Sequence, residues 1–217
     1  MKRYYLAYGS NLNLTQMRWR CPDARVLGTA EIADYRLLFK GSKTGSYLTI
    51  EPFAGGKVPV AVWEVSAEDE ERLDRYEGYP TFYYKKELPI TYTGIRTSRK
   101  RSVMAFVYIM DESRPLGIPT RNYMETCLLG YYDFGFDANI LKRAMHDSME
   151  EKMKTETRSV RTCPICGNSY TGHPALSRTD GETLICPDCG TRQALESIGV
   201  SQEEQEKILE TIHRAMA

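Results

Sequence analysis

Four cysteines in the last third of the chain carry the most specific chemical signal. They form Cys163-x2-Cys166 and Cys186-x2-Cys189, and both knuckles read Cys-Pro-x-Cys-Gly. Thiolates bind Zn²⁺ tetrahedrally, and two tight turns can each present two of them. Proline stiffens such a turn, and the glycine behind it accepts the positive φ that points backbone N–H groups at the sulfurs. Four ligands close the coordination shell, so the ion would be structural and not catalytic. Two blander readings stay open: four unrelated reduced thiols, or a redox Cys-x-x-Cys, for which one pair would suffice.

Two further stretches could do chemistry. In "YLAYGSNLNLTQM", residues 5 to 17, a buried strand passes through Gly9-Ser10-Asn11-Leu12 into a helix. A glycine turn there aims successive N–H groups and a positive helix end into one small space, which suits a carboxylate. The loop lacks the lysine and extra glycines of a phosphate loop. Asn11 or Asn13 acting only as a helix cap is the alternative. The second stretch is "LDRYEGYPTFYY", where Glu77 falls in the last turn of a helix, at the negative dipole end. Tyr76, Tyr79, Phe82 and Tyr83 flank it. An apolar pocket there would raise the carboxyl pKa toward the range of a general base near neutrality, whereas a solvated surface glutamate would do no chemistry.

The elements that position these residues read as follows. Strand-like runs "RYYLAY", "RVLGTAEIADYRLLF", "GSYLTIEPF" and "VPVAVWEV" fill residues 3 to 65. Ser66, with Asp69 three residues on, opens a helix that Gly78 ends. "YYKKELPITY" and "SVMAFVYIM" follow as strands around the basic turn Arg96 to Arg101. Residues 120 to 151 predict two helices broken near Gly135. Strands without regular βαβ alternation give an α+β class, with the sheet curled into a small mixed barrel and helices at its flanks. The boundaries predicted are 1–151 for this barrel domain, 152–160 for a charged linker, and 161–217 for the cysteine module with a final helix. That helix starts at Ser201 and has Ile208, Leu209, Ile212 and Met216 on its apolar side.

Composition excludes several classes. The 217 residues balance 29 basic against 29 acidic side chains, so no general pull toward nucleic acid or membrane exists. No apolar run reaches the length of a membrane span or a signal peptide, which makes the cytoplasm the expected location. From 158 to 192 the module has four arginines, no lysine, three acids and a tetrathiolate centre of formal charge minus two. That is no phosphate-binding surplus, so a protein contact or a folding clip fits the module better than nucleic acid. The three histidines are not placed by spacing beside Cys21 or Cys127, which disfavours a thiol–imidazole nucleophile.

"YGSNL", "LDRYEGYP" and the tyrosine of "TRNYME" together resemble the gamma-glutamylcyclotransferases over roughly residues 3 to 150, and "AVWEVSAEDEERLDRYEGYP" and "MAFVYIM" are similar to the bacterial members. The resemblance implies a small β-barrel with flanking helices and a cavity at one end. The family's loop motif falls on Tyr8, Gly9, Ser10, Asn11 and Leu12, which would hold the α-carboxylate end of a γ-glutamyl group. Its catalytic glutamate falls on Glu77, and its pocket tyrosines on Tyr83 (or Tyr84) and Tyr123. The implied activity releases 5-oxoproline and an amine from a small γ-glutamyl amide, with no catalytic metal or cofactor. "PALSRTDGETLICPDCGTRQAL" resembles the zinc ribbons attached to bacterial and phage proteins, a departure from the family's usual single-domain form. A second possibility is a binding protein, whose barrel only recognises such a group while the ribbon makes the functional contact.

Overall fold

Five strands, β1 (Arg3–Ala7), β2 (Arg25–Ser42), β3 (Gly45–Val65), β4 (Tyr83–Gly94) and β5 (Lys100–Met110), close into a barrel in the order β1-β3-β2-β4-β5. β1 seals it, pairing antiparallel with β3 and parallel with β5 through Tyr5 and Phe106. The alternation expected from the sequence puts Leu6, Ile50, Val60, Val62 and Phe106 into one core. Each such side chain contributes roughly 1.5–3 kcal/mol by leaving water. The structure is a computed structural model that describes residues 2–42, 45–158 and 160–216. The chain divides into two compact units, Met1–Lys152 and Met153–Ala217.

β3 is one strand where the sequence predicts two. The Ala-Gly-Gly-Lys segment does not turn the chain. It forms an irregularity opposite β2, where pairing jumps from Ala33↔Lys57 to Tyr35↔Pro52. Gly55 takes φ +77° there and donates its N–H to the Asp34 carboxylate at 2.9 Å, so the extra residues loop out while the strand continues.

A single 3₁₀ turn, Ser10–Leu12, joins β1 to the short helix α1 (Leu14–Arg20). α2 (Ala67–Glu77) is capped as predicted: Ser66 Oγ accepts from Asp69 N at 3.1 Å, and Gly78 takes the left-handed conformation that ends it. α3 (Arg121–Phe134) and α4 (Asn139–Arg158) are separated by Gly135, also left-handed. α3 approaches the loop closely because Gly130 has no side chain. A Cβ there would lie 2.6 Å from that of Leu12. α4 is pinned to β2 by Ser148, whose Oγ accepts from Phe39 N at 2.8 Å. It continues to Arg158, through most of the stretch expected as a linker.

The second unit has two small hairpins, β6 (Arg161–Thr162) with β7 (Ser169–Tyr170) and β8 (Ala175–Leu176) with β9 (Leu184–Ile185). α5 (Pro187–Glu196) was not foreseen. It grows out of the second knuckle, with Cys186 as its N-cap and Pro187 in its first turn. Gly167 takes φ +73° as expected of a knuckle glycine, but Gly190 does not. Its role is close approach inside α5, since a Cβ there would meet that of Ala175 at 2.3 Å. In α6 (Gln202–Met216) Leu209 is buried, Ile208 and Ile212 are partly so, and the side chain of Met216 lies outside the described residues. Arg192 of α5 holds Glu206 of α6 through two hydrogen bonds at 2.9 and 3.1 Å. Among the described residues no helix is long and apolar enough to cross a membrane.

Candidate active site

One end of the barrel gathers the residues singled out between 5 and 123. β1 ends at the loop, α2 ends at Glu77, β4 begins at Tyr83, and α3 brings Tyr123 over the top. Two adjoining hollows result. The inner one, about 30 Å³, is walled by Tyr5, Tyr8, the Gly9–Asn11 loop, Glu77 and the tyrosines Tyr83, Tyr108 and Tyr123. The outer one, about 230 Å³, opens past Tyr47, Tyr76 and Phe82 and shares Ser10, Glu77, Tyr83 and Tyr123 with the first.

Glu77 is the single acid in both walls. Burial among these rings pushes its carboxyl from 4.5 up to about 7, against the opposing pull of Arg20 and of a hydrogen bond from Asn11. Asn11 Nδ2 donates to Glu77 Oε1 and to Tyr5 Oη, both at 2.8 Å. The tyrosine hydroxyls of the inner wall are themselves pushed above their ordinary value by burial, so they stay protonated where Glu77 titrates.

The two asparagines divide the work left open by the sequence. Asn13 is the cap, its side chain accepting from Gln16 N at 2.9 Å, while Asn11 serves the cavity. The expectation that the helix end would face a ligand does not hold. Leu14 N donates to Asp133 Oδ2 at 3.0 Å and Gln16 N to the cap, so those donors are consumed. The N–H groups of Gly9, Ser10 and Asn11 have no acceptor among the described residues. Leu12 departs from its expected place: it is fully buried against Gly130 and lines neither hollow.

Tyr83, not Tyr84, faces the cavity. Tyr83 Oη donates to Leu48 O at 2.8 Å, and Leu48 N donates to Tyr123 Oη at 3.1 Å, so the two rings grip one residue of β3 by both its backbone groups. Tyr84 points elsewhere and donates to Glu112 at 2.6 Å. Tyr8 Oη donates to the carbonyl of Tyr108 at 2.7 Å. Tyr79, expected in the pocket, is largely exposed and stacks with Lys85 instead. Sequence reasoning missed Tyr5, Arg20, Tyr47 and Tyr108. Tyr5 and Tyr8 lie three apart, on opposite faces of an extended strand, so their spacing does not pair them. Nothing in the spacing of Arg20, Tyr47 or Tyr108 brings them to Glu77.

A larger hollow, about 710 Å³, lies elsewhere in the first unit, among Lys2, Arg25, Arg96 and Arg101. Its cations are exposed, and Glu64, its acid, pairs with Lys2 at 2.7 Å. It offers no buried group poised to move a proton, so size does not make it the reactive site.

In the second unit the four predicted cysteines converge. Their sulfurs lie within 4.8 Å of one another, and Cys166 and Cys186 are 3.8 Å apart. A tetrahedral ion with Zn–S bonds near 2.3 Å requires sulfurs about 3.8 Å apart. Backbone donors support the thiolates: Cys186 N reaches Cys163 Sγ at 3.3 Å and Cys189 N reaches Cys186 Sγ at 3.4 Å. The cluster therefore fits a metal ion.

Residues 5–125, more than half of the chain, match the family described as Gamma-glutamyl cyclotransferase, AIG2-like, and the chain belongs to that family. A gamma-glutamylcyclotransferase of Bos taurus is 29% identical over 148 residues, covering 64% of this chain and 75% of the relative. Its Homo sapiens counterpart is 28% identical over 140 residues, covering 60% and 71%. A solved gamma-glutamyl cyclotransferase structure superposes with a TM-score of 0.55 at 24% identity, over 66% of this chain and 86% of that one, a likeness of fold.

Proposed function

We propose that the chain is a γ-glutamyl cyclotransferase that releases 5-oxoproline and a free amine from a γ-glutamyl amide, with Glu77 as its acid and base. The observation that carries this reading is a carboxyl raised to about 7, hydrogen-bonded by Asn11 beside three loop N–H groups that have no acceptor among the described residues. Those N–H groups of Gly9, Ser10 and Asn11 hold the substrate α-carboxylate. Tyr8, Tyr83 and Tyr123 wall the γ-glutamyl chain, and the tyrosine-to-Leu48 bonds keep that wall rigid. Leu12 serves by anchoring the loop to α3. Folded in this space, the substrate brings its α-amine to its own side-chain carbonyl. Such preorganisation supplies a large share of the acceleration. Glu77 takes a proton from the ammonium and the amine closes a five-membered ring. Glu77 returns that proton to the departing nitrogen as the C–N bond breaks, and the second proton shed by the ring nitrogen leaves on the released amine as its ammonium. One acid suffices because the group that gains the proton in the first step loses it in the last. The released amine leaves through the outer, aromatic hollow.

The cysteine cluster holds one structural Zn²⁺ in a ribbon. We assign residues 1–151 to the catalytic barrel and 161–217 to the ribbon and its helix, with a protein as the ribbon's partner. Incubating the purified chain with a panel of γ-glutamyl amino acids, amines and peptides and measuring 5-oxoproline tests the activity. Release from none of them would leave the alternative, a barrel that binds a γ-glutamyl group without turning it over.

A further inference from the structure

The cation facing Glu77 is Arg20, and it does so without touching the carboxylate. Its Nη1 donates to Asn11 Oδ1 and, at 3.4 Å, to Ser10 Oγ. Its Nη2 donates to Tyr76 Oη at 2.6 Å, and the guanidinium lies 3.6 Å from the centre of that ring. No carboxylate pairs with Arg20 among the described residues, so its charge is spent on the loop and on Tyr76.

We infer that Arg20 is a positioning residue for the Glu77 base, acting through the side-chain amide of Asn11. This rests on the cyclotransferase reading above. A guanidinium only donates, so the amide must turn its oxygen to Arg20. That leaves Nδ2, with two hydrogens, for Tyr5 and Glu77, as observed. A cation on the oxygen also strengthens the N–H donors, because hydrogen bonds in a chain polarise one another. Without Arg20 nothing fixes the amide. Turned over, it would present its carbonyl to Glu77, which favours the protonated acid over the base that the reaction requires. Tyr76, the residue before Glu77 on α2, holds the other side of the guanidinium and ties α1 to the end of α2.

The groups that face Glu77 make its titration readable. Tyr5 and Tyr8 at the β1 end, Tyr83 on β4, Tyr108 on β5 and Tyr123 on α3 are all raised by burial above the ordinary tyrosine value. Cys21 behind α1 is pushed up to about 12, also by burial. Within this set Glu77 is the group that changes charge near neutrality.

The test compares Arg20→Gln, Arg20→Lys and Tyr76→Phe with Arg18→Gln, an exposed arginine of the same helix. In Arg20→Gln the acid limb of kcat/KM should move up by about one pH unit, so the rate below neutrality falls roughly tenfold while the rate well above pH 8 nearly recovers. KM in that alkaline range should hold steady. Arg20→Lys should restore part of the shift. Tyr76→Phe, which keeps the ring and loses the acceptor, should shift the limb less and in the same direction. Arg18→Gln should leave the profile unchanged. Carboxyl titration of Glu77 in the free full-length protein, by NMR, should show the same displacements without substrate. An unmoved titration in folded Arg20→Gln overturns the inference. So does an equal rise in KM at every pH, which would mean that Arg20 binds substrate directly. If Arg20→Gln does not fold, Arg20→Lys and Tyr76→Phe decide the matter. If the wild type turns over no γ-glutamyl compound, the cyclotransferase reading fails, and the titration still reports on Arg20.

Discussion

The two sites of this chain are built in opposite ways. The cysteine cluster draws its sulfurs from Cys163 to Cys189, by two knuckles that each set two of them through local turns. The Glu77 cavity draws on β1 and its loop, β3, the end of α2, the start of β4, β5 and α3, from Tyr5 to Tyr123. The first site brings four sulfurs together in a unit with little buried core of its own. The second needs a large hydrophobic core to hold a carboxylate in a place water would not choose. A site made by local turns declares itself in its spacing. A site made by convergence declares itself only in the fold.

The largest effect should come from metal removal. Structural zinc sites contribute on the order of 10 kcal/mol or more to the folding of small domains, and the buried core of this unit is little more than Ile185 and the cysteines. Chelation, or Cys163→Ser with Cys166→Ser, should release one zinc per chain and unfold the ribbon while the barrel stays folded. Hydrogen exchange resolved along the chain checks this. Cooperative loss of both units on chelation would contradict the contrast drawn above.

Next comes Glu77→Gln, which keeps the hydrogen bond from Asn11 and cannot take a proton. Turnover should fall at least ~100-fold with substrate binding retained. Isothermal titration with a slowly turned-over γ-glutamyl compound separates the two, and near-normal turnover in a folded variant would sink the assignment.

The pH dependence follows from the same carboxyl. Because the reaction needs it ionised, wild-type kcat/KM should fall about tenfold for each unit below about pH 7. Stability runs the other way. Burial raises the folded pKa from 4.5 to about 7, so the folded state binds this proton more tightly than the unfolded state. Its stabilising contribution is complete below pH 4.5 and is lost as pH rises through 7. Glu77→Gln lacks that loss, so its Tm should exceed that of the wild type above pH 7. The gap should close toward pH 4.5. A wild-type Tm equal to or higher than the variant's at alkaline pH would mean that burial does not strain the carboxylate.

The smallest effects belong to the loop. A side chain at Gly9 would press on Tyr123 Oη and Leu48, 3.3 and 3.5 Å from the added Cβ. Gly9→Val should therefore weaken γ-glutamyl binding more than Ser10→Ala, which removes one hydroxyl and leaves the backbone donors. Equal affinities for the two variants would take the backbone out of recognition.

The sequence by itself determined the cysteine cluster, the caps at Ser66 and Gly78, the break at Gly135, and a barrel made from strand runs, because each rests on residue type and short-range spacing. It also put Glu77 and the Gly9–Asn11 loop in view, the one through an odd carboxylate among aromatics, the other through an unexplained polar turn. Tertiary structure alone decided that Asn13 is the cap and Asn11 the cavity residue, since a cap and a ligand-facing asparagine look the same two positions apart. It decided that Leu12 belongs to the core, because only the approach of Gly130 shows where that side chain goes. It made β3 continuous through Ala-Gly-Gly-Lys, because β2 offers hydrogen bonds on both sides of the irregularity. Arg20 faces Glu77 across Asn11 only because α1 and α2 are folded onto the same end of the barrel. The pKa of Glu77 depends on that arrangement too, as burial and a facing cation are properties of space and not of chain order.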